Sequence, residues 1–170
     1  DIHSRSRNWT GAADCLRRLL ELDLPPQTRV KHTLALARVT DEGFADIGQA
    51  IALYRKALDL VPGDTVTLDR LVALYERLGS LPELAAILEQ QAAQYTDPKK
   101  IVALRLRVAS LYRSLDDPAR GIATLRLAID LDPTQIAAWT AIAELYGKES
   151  GSASLAIEAH RNIFRLDPTR

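Results

Sequence analysis

The sequence contains one cysteine and no methionine, and aromatic residues make up only 5% of it. A single Cys cannot close an internal disulfide and is too few for a cysteine-rich zinc site. Net charge is missing too, because 22 basic and 22 acidic side chains cancel. A protein held to nucleic acid by phosphate contacts needs a basic surface, so no nucleic-acid partner is expected. No apolar run approaches the ~20 residues of a membrane span, so no membrane insertion is expected. No signal-peptide pattern opens the chain, and no initiator Met does either. The expectation is a processed product or an excised piece of a longer array.

What is present is helical. Hydrophobic residues form 47% of the 170, and 27 Leu with 25 Ala account for nearly a third of the chain. Such a chain is too apolar for disorder, and Leu and Ala are strong helix formers. The apolar positions Val66, Leu68, Leu71, Val72, Leu74, Tyr75 and Leu78 lie on one face of period 3.6. Leu84-Ile87-Leu88 and Ile122-Leu125-Ile129 follow the same spacing. All-α is the expected class.

Start and stop signals recur together. Asn8, Asp46, Ser80, Asp117 and Ser152 are N-cap residue types standing before helical segments. Ser80 with Glu83 has capping-box spacing, and Pro118 suits a first helical turn. Closing positions fall at Leu24, Pro62, Thr96, Pro133 and Pro168. Both series advance by 38, 34, 37 and 35 residues. Two unrelated signals with one set of spacings point to a repeat of two helices. The expected pairs are 28–40 with 45–60, 65–78 with 81–95, 98–115 with 118–131, and 135–148 with 153–166. A lone helix, 9–23, precedes them, with residues 1–7 as the tail of its missing mate. This gives one domain over 1–170: a half unit 1–26 and units 27–63, 64–97, 98–134 and 135–170.

These residues resemble the tetratricopeptide repeat. Trp139, Ile142, Ala143, Tyr146, Ala156 and Pro168 follow its pattern, as do Leu68, Leu71, Val72 and Tyr75. So do Val108, Ala109, Tyr112, Gly121, Ala128 and Pro133, and Leu34, Ala35, Ala50, Tyr54, Ala57 and Pro62. The small residues let paired helices approach closely. Arg105 and Lys31 replace the bulky residue of the pattern, Arg38 replaces its tyrosine, and Leu84 and Gln91 replace small residues. The unit 64–97 is therefore expected to be degenerate. The resemblance implies a right-handed α-solenoid whose first helices line a concave groove.

Little chemistry is visible. His3, His32 and His160 fall in different units without a partner at i+4. Cys15 is expected to pack as a small hydrophobe beside Leu16 and Leu19. Asp116-Asp117 are sequence neighbours that do not face each other, and Asp117 is expected to cap. Gly147 and Gly151 bracket a turn read as a loop insertion. No catalytic residue, metal site or cofactor is expected.

Groove positions implied by the resemblance are Arg29 and His32 in the first full unit, then Asp69, Arg70, Ala73 and Arg77 in the second. The third unit offers Leu106, Arg107, Ser110 and Arg113, and the fourth Thr140, Ala141 and Glu144. Arg70 and Arg107 hold equivalent positions and are expected side by side. Guanidinium forks suit carboxylates, so the expected partner is a protein or peptide with acidic side chains or a C-terminal carboxylate. The asparagine and lysine of a chaperone-tail clamp are not at the matching positions.

The expected function is a noncatalytic interaction scaffold. Two alternatives stand beside it: an assembly element using its array ends, including end-to-end self-association, or the recognition arm of a larger enzyme or regulator. The open faces at the ends are read as Leu16, Leu19 and Leu20 on the first helix, and Ile157, Ile163, Phe164 and Leu166 on the last. The bias of 17 Arg over 5 Lys suggests a GC-rich bacterial genome.

Overall fold

A computed structural model describes the backbone of residues 2–148 and 152–169 and the side chains of 8–147 and 152–169. The His3 side chain and the turn at Glu149, Ser150 and Gly151 lie outside the described residues. Every regular element among the described residues is an α-helix. The chain groups into two compact units, Asp1–Gly79 and Ser80–Arg170. The division falls inside the expected unit 64–97.

The first compact unit holds α1 (Ile2–Glu21), α2 (Pro26–Phe44), α3 (Ile47–Leu60) and α4 (Thr65–Leu78). Each helix packs on the next in sequence. α1 corrects two expectations. It is one continuous helix rather than a helix from Trp9 with a separate tail, so Asn8 lies inside it and caps nothing. Neither Gly nor Pro occurs between residues 2 and 10 to break it. Cys15 is exposed rather than packed. The inward face carries Trp9, Ala12, Ala13, Leu16 and Leu20, and Cys15 sits about 200° around the helix from Ala13 at ~100° per residue. Ala13, not Cys15, is the fully buried small residue.

α2 begins at Pro26, earlier than the expected Thr28, because proline is preset for the first helical turn. It runs on to Phe44, where Ala45 turns into the left-handed region at φ 54°. Close contact with α1 explains the glycine near its end. A Cβ on Gly43 would stand 2.7 Å from the Trp9 ring. Asp46 then caps α3, accepting from the Gln49 amide at 2.9 Å. Asp64 caps α4 from the Thr67 amide at 3.0 Å. Gly79, at φ 71°, closes α4.

The second compact unit holds α5 (Leu81–Ala92), α6 (Pro98–Ser114), α7 (Pro118–Leu131), α8 (Ile136–Lys148) and α9 (Ala153–Leu166). Sequential helices pack together, and α6 also touches α8. The degenerate stretch shows here: α5 buries Leu84 and Gln91 where the pattern has small residues, and it stops at Ala92 rather than Tyr95. Asp97 and Asp117 cap α6 and α7 from the Lys99 and Arg120 amides at 3.0 and 3.1 Å. Ser80 makes no backbone cap; its hydroxyl meets the Glu83 carboxylate at 2.6 Å. Ser152 makes no side-chain cap either.

The repeat is visible in packing. α7 buries two stripes. Gly121, Thr124 and Ala128 form one, and Ile122, Leu125 and Ile129 form the other. Gly121 permits a close crossing: a Cβ there would lie 3.1 Å from the Leu145 side chain. Thirty-five residues on, α9 buries Ala159 and Ile163 but leaves Ile157 54% and Phe164 61% exposed. Of the four residues expected on an open face of α9, Ile163 is thus turned inward. The turns repeat as well. Asp132 accepts from the amide and hydroxyl of Thr134, and Asp167 does the same for Thr169.

Candidate ligand-binding groove

In the first unit, residues of α2 and α4 line a pocket of about 290 Å³ together with Tyr54 of α3. α2 supplies Lys31, Leu34, Ala35 and Arg38, and α4 supplies Val66, Thr67 and Arg70. Helical spacing explains the alignment: Lys31 and Arg38 are seven residues apart and share one face. Tyr54 is 4% exposed, and its ring forms part of the lining. Burial pushes its phenol above the ordinary tyrosine range; Arg70 acts against this, Asp41 and Glu42 act with it, and Arg38 also opposes it. Among the described residues, Lys31, Arg38 and Arg70 form no ion pair.

The residues read as groove-lining fall into distinct situations. Arg29 spends its fork on backbone: its two terminal nitrogens donate to the Leu20 and Leu22 carbonyls at 3.2 and 3.1 Å. That tethers the end of α1 to α2 and satisfies carbonyls a helix end leaves open. His32 is half-buried on α2. Asp69 and Arg70 are exposed on α4. Arg77 donates to Asp41 at 2.6 Å, joining α4 to α2.

In the second unit, Arg107 is exposed on α6. Ser110 donates to the Arg107 carbonyl at 2.7 Å, within its own helix. Arg113 and Glu144 pair at 2.9 Å, linking α6 to α8. Thr140 bonds back to the Ile136 carbonyl at 2.9 Å. The structure thus ties Arg113 to Glu144 and Arg77 to Asp41, while Arg70 and Arg107 belong to different compact units.

Two side chains that the sequence reading passed over as pattern departures, Lys31 and Arg38, line the pocket with Arg70. The available signal is internal. Positions matching Lys31 and Arg38 in the last unit carry Trp139 and Tyr146. There the aromatics have structural partners: Trp139 donates to the Pro133 carbonyl at 2.9 Å, and the Tyr146 hydroxyl accepts from Arg126 at 2.6 Å. Among the described residues, no group of three metal-ligating side chains gathers, and no helix is long and apolar enough to cross a membrane.

Comparison with known proteins bears on the fold. Residues 102–135, spanning most of α6 and α7, match the model of the tetratricopeptide repeat. No curated protein sequence matches the chain. Among solved structures, MamA is 17% identical with a TM-score of 0.54, covering 99% of this chain and 95% of its own. MamA residues 41 to the end, from Desulfovibrio magneticus RS-1, are 16% identical with a TM-score of 0.50, covering 100% and 99%. YrrB, described as a TPR protein with an unusual peptide-binding site, is 15% identical with a TM-score of 0.53, covering 92% and 76%. The chain is an all-α array of antiparallel helix pairs with the tetratricopeptide-repeat fold, and one repeat recognisable by sequence lies at residues 102–135.

Proposed function

We propose that this chain is a noncatalytic scaffold that holds an acidic segment of a protein or peptide against the first helices of its pairs. The observation that carries the reading is the cationic pocket of the first unit, where Lys31, Arg38 and Arg70 lack carboxylate partners among the described residues. Fixed helices lose little conformational entropy on binding, and guanidinium charge steers an acidic partner. Arg70 on α4 carries the contact in the first unit, and Arg107 on α6 is a separate candidate contact in the second. Arg29, Arg77 and Arg113 hold the helices in place instead. YrrB, with its peptide-binding site, supports the same reading. Anisotropy titration with a fluorescein-labelled Glu-rich peptide tests it. Arg70→Glu and Arg107→Glu should each weaken binding at least about tenfold, ~1.4 kcal/mol, with helicity unchanged. Unchanged affinity in both variants sinks the reading.

A second reading is assembly through the outer face of α9, favoured by the exposure of Ile157 and Phe164. Sedimentation across a concentration series tests it. A chain that stays monomeric throughout excludes it.

A further inference from the structure

Repeat units built on one pattern place the same kind of residue in the same surroundings. Lys31 and Arg105 both replace the bulky residue, but only the first full unit also replaces the tyrosine, with Arg38, and such a double change marks a change of task. Positions 139 and 146 carry an indole and a phenol whose polar atoms are tied to the protein itself. The matching positions 31 and 38 carry an ammonium and a guanidinium. These cannot fill space as the rings do. With Arg70 they surround an open pocket of about 290 Å³ instead.

Lys31, Arg38 and Arg70 are exposed around the pocket, and nothing within the described residues neutralises them by an ion pair. Glu42 lies near enough to act on the Tyr54 phenol, and Asp41, which also does, is already held by Arg77. A hydroxyl donor lies at the pocket as well. Tyr54 is 4% exposed and lines the pocket, and its hydroxyl makes no hydrogen bond within the described residues.

We infer that the pocket of Lys31, Arg38, Tyr54 and Arg70 is a subsite for a phosphorylated serine or threonine side chain of a bound peptide. A carboxylate brings one charge. A phosphate monoester brings about −1.5 to −2 at neutral pH and three acceptor oxygens, which suits two guanidinium forks, an ammonium and a phenol donor. Leu34, Ala35 and Val66 offer apolar contact to the residues flanking the phosphate. The inference rests on the peptide-binding reading above and assigns the group recognised.

The test uses three fluorescein-labelled peptides, identical except for a central Ser, Glu or phosphoserine between Val and Ala residues, titrated into the full 170-residue chain. Phosphoserine should bind about tenfold tighter than Glu, with Ser weakest. The variant Lys31→Trp/Arg38→Tyr restores the residues of the last unit. It should keep its helicity and bind the phosphoserine peptide no tighter than the Glu peptide, both more weakly than the unaltered chain binds them. If that variant does not fold, Lys31→Ala/Arg38→Ala gives the same readout. Equal binding of the Glu and phosphoserine peptides overturns the inference, as does a preference that survives in the folded variant. Failure of the broader scaffold reading looks different: Arg70→Glu and Arg107→Glu then leave the affinity for a Glu-rich peptide unchanged.

Discussion

Trp9 lies close enough to α2 that a methyl group on Gly43 would overlap its ring, at 2.7 Å. The glycine is required by contact and not by backbone angle, since it sits within α2. Gly43→Ala should gain helix propensity yet destabilise the chain by about 1–3 kcal/mol, because overpacking displaces Trp9. Adding Trp9→Leu should remove most of that penalty. Thermal melts of the four members of the cycle check this; additive effects contradict it.

Ile129 and Phe164 occupy matching places in the repeat but opposite environments. Ile129 is 8% exposed and Phe164 is 61% exposed. Ile129→Ala should cost about 2–4 kcal/mol, whereas Phe164→Ala should stay within ~0.5 kcal/mol. Urea denaturation of the two variants reads the difference directly.

Helix caps separate in the same way. Asp46, Asp64, Asp97 and Asp117 accept backbone amides, while Asn8 lies within α1. Asp46→Ala and Asp117→Ala should each lower stability by about 1 kcal/mol, and Asn8→Ala should not lower it. A loss of similar size at Asn8 would contradict the continuous α1.

These caps also show how far the sequence reaches. Asp46 and Asp117, the closing prolines and the steps of 38, 34, 37 and 35 are local signals, so helices such as Thr65–Leu78, Pro118–Leu131 and Ala153–Leu166 match their expected bounds. Asn8 failed because cap preference is weak when no breaker precedes it. Cys15 failed because leucine neighbours do not define a face; the rotation from Trp9 and Ala13 does. The pocket was half legible. Lys31 and Arg38 stood out as departures, yet only the packing of α2, α3 and α4 brings them to Arg70 and Tyr54. The ion pairs of the expected groove residues Arg77 and Arg113 are not legible in the sequence, because the carboxylates that hold them, Asp41 and Glu144, are 36 and 31 residues away.

Tyr112 gives a pH dependence. Burial raises its phenol above the ordinary range, and the hydrogen bond it donates to Glu89 at 3.0 Å raises it further. The folded state therefore holds the proton more tightly than the unfolded chain. Stability from this group is full below the unfolded tyrosine pKa of about 10 and falls as pH rises through the higher folded value. Tyr112→Phe should flatten that alkaline loss, measured as urea midpoints between about pH 9 and 12. An unaltered slope contradicts the assignment.

The central claim is that acidic segments bind through Arg70 in the first unit and through Arg107 in the second, while Arg29 serves the fold. Arginine side-chain Nε–Hε NMR resonances, followed as a Glu-rich peptide is added, test it most directly. The account predicts saturable shifts for Arg70 and Arg107, with Arg29 unmoved on its Leu20 and Leu22 carbonyls. Saturable binding that leaves both Arg70 and Arg107 unshifted would contradict it.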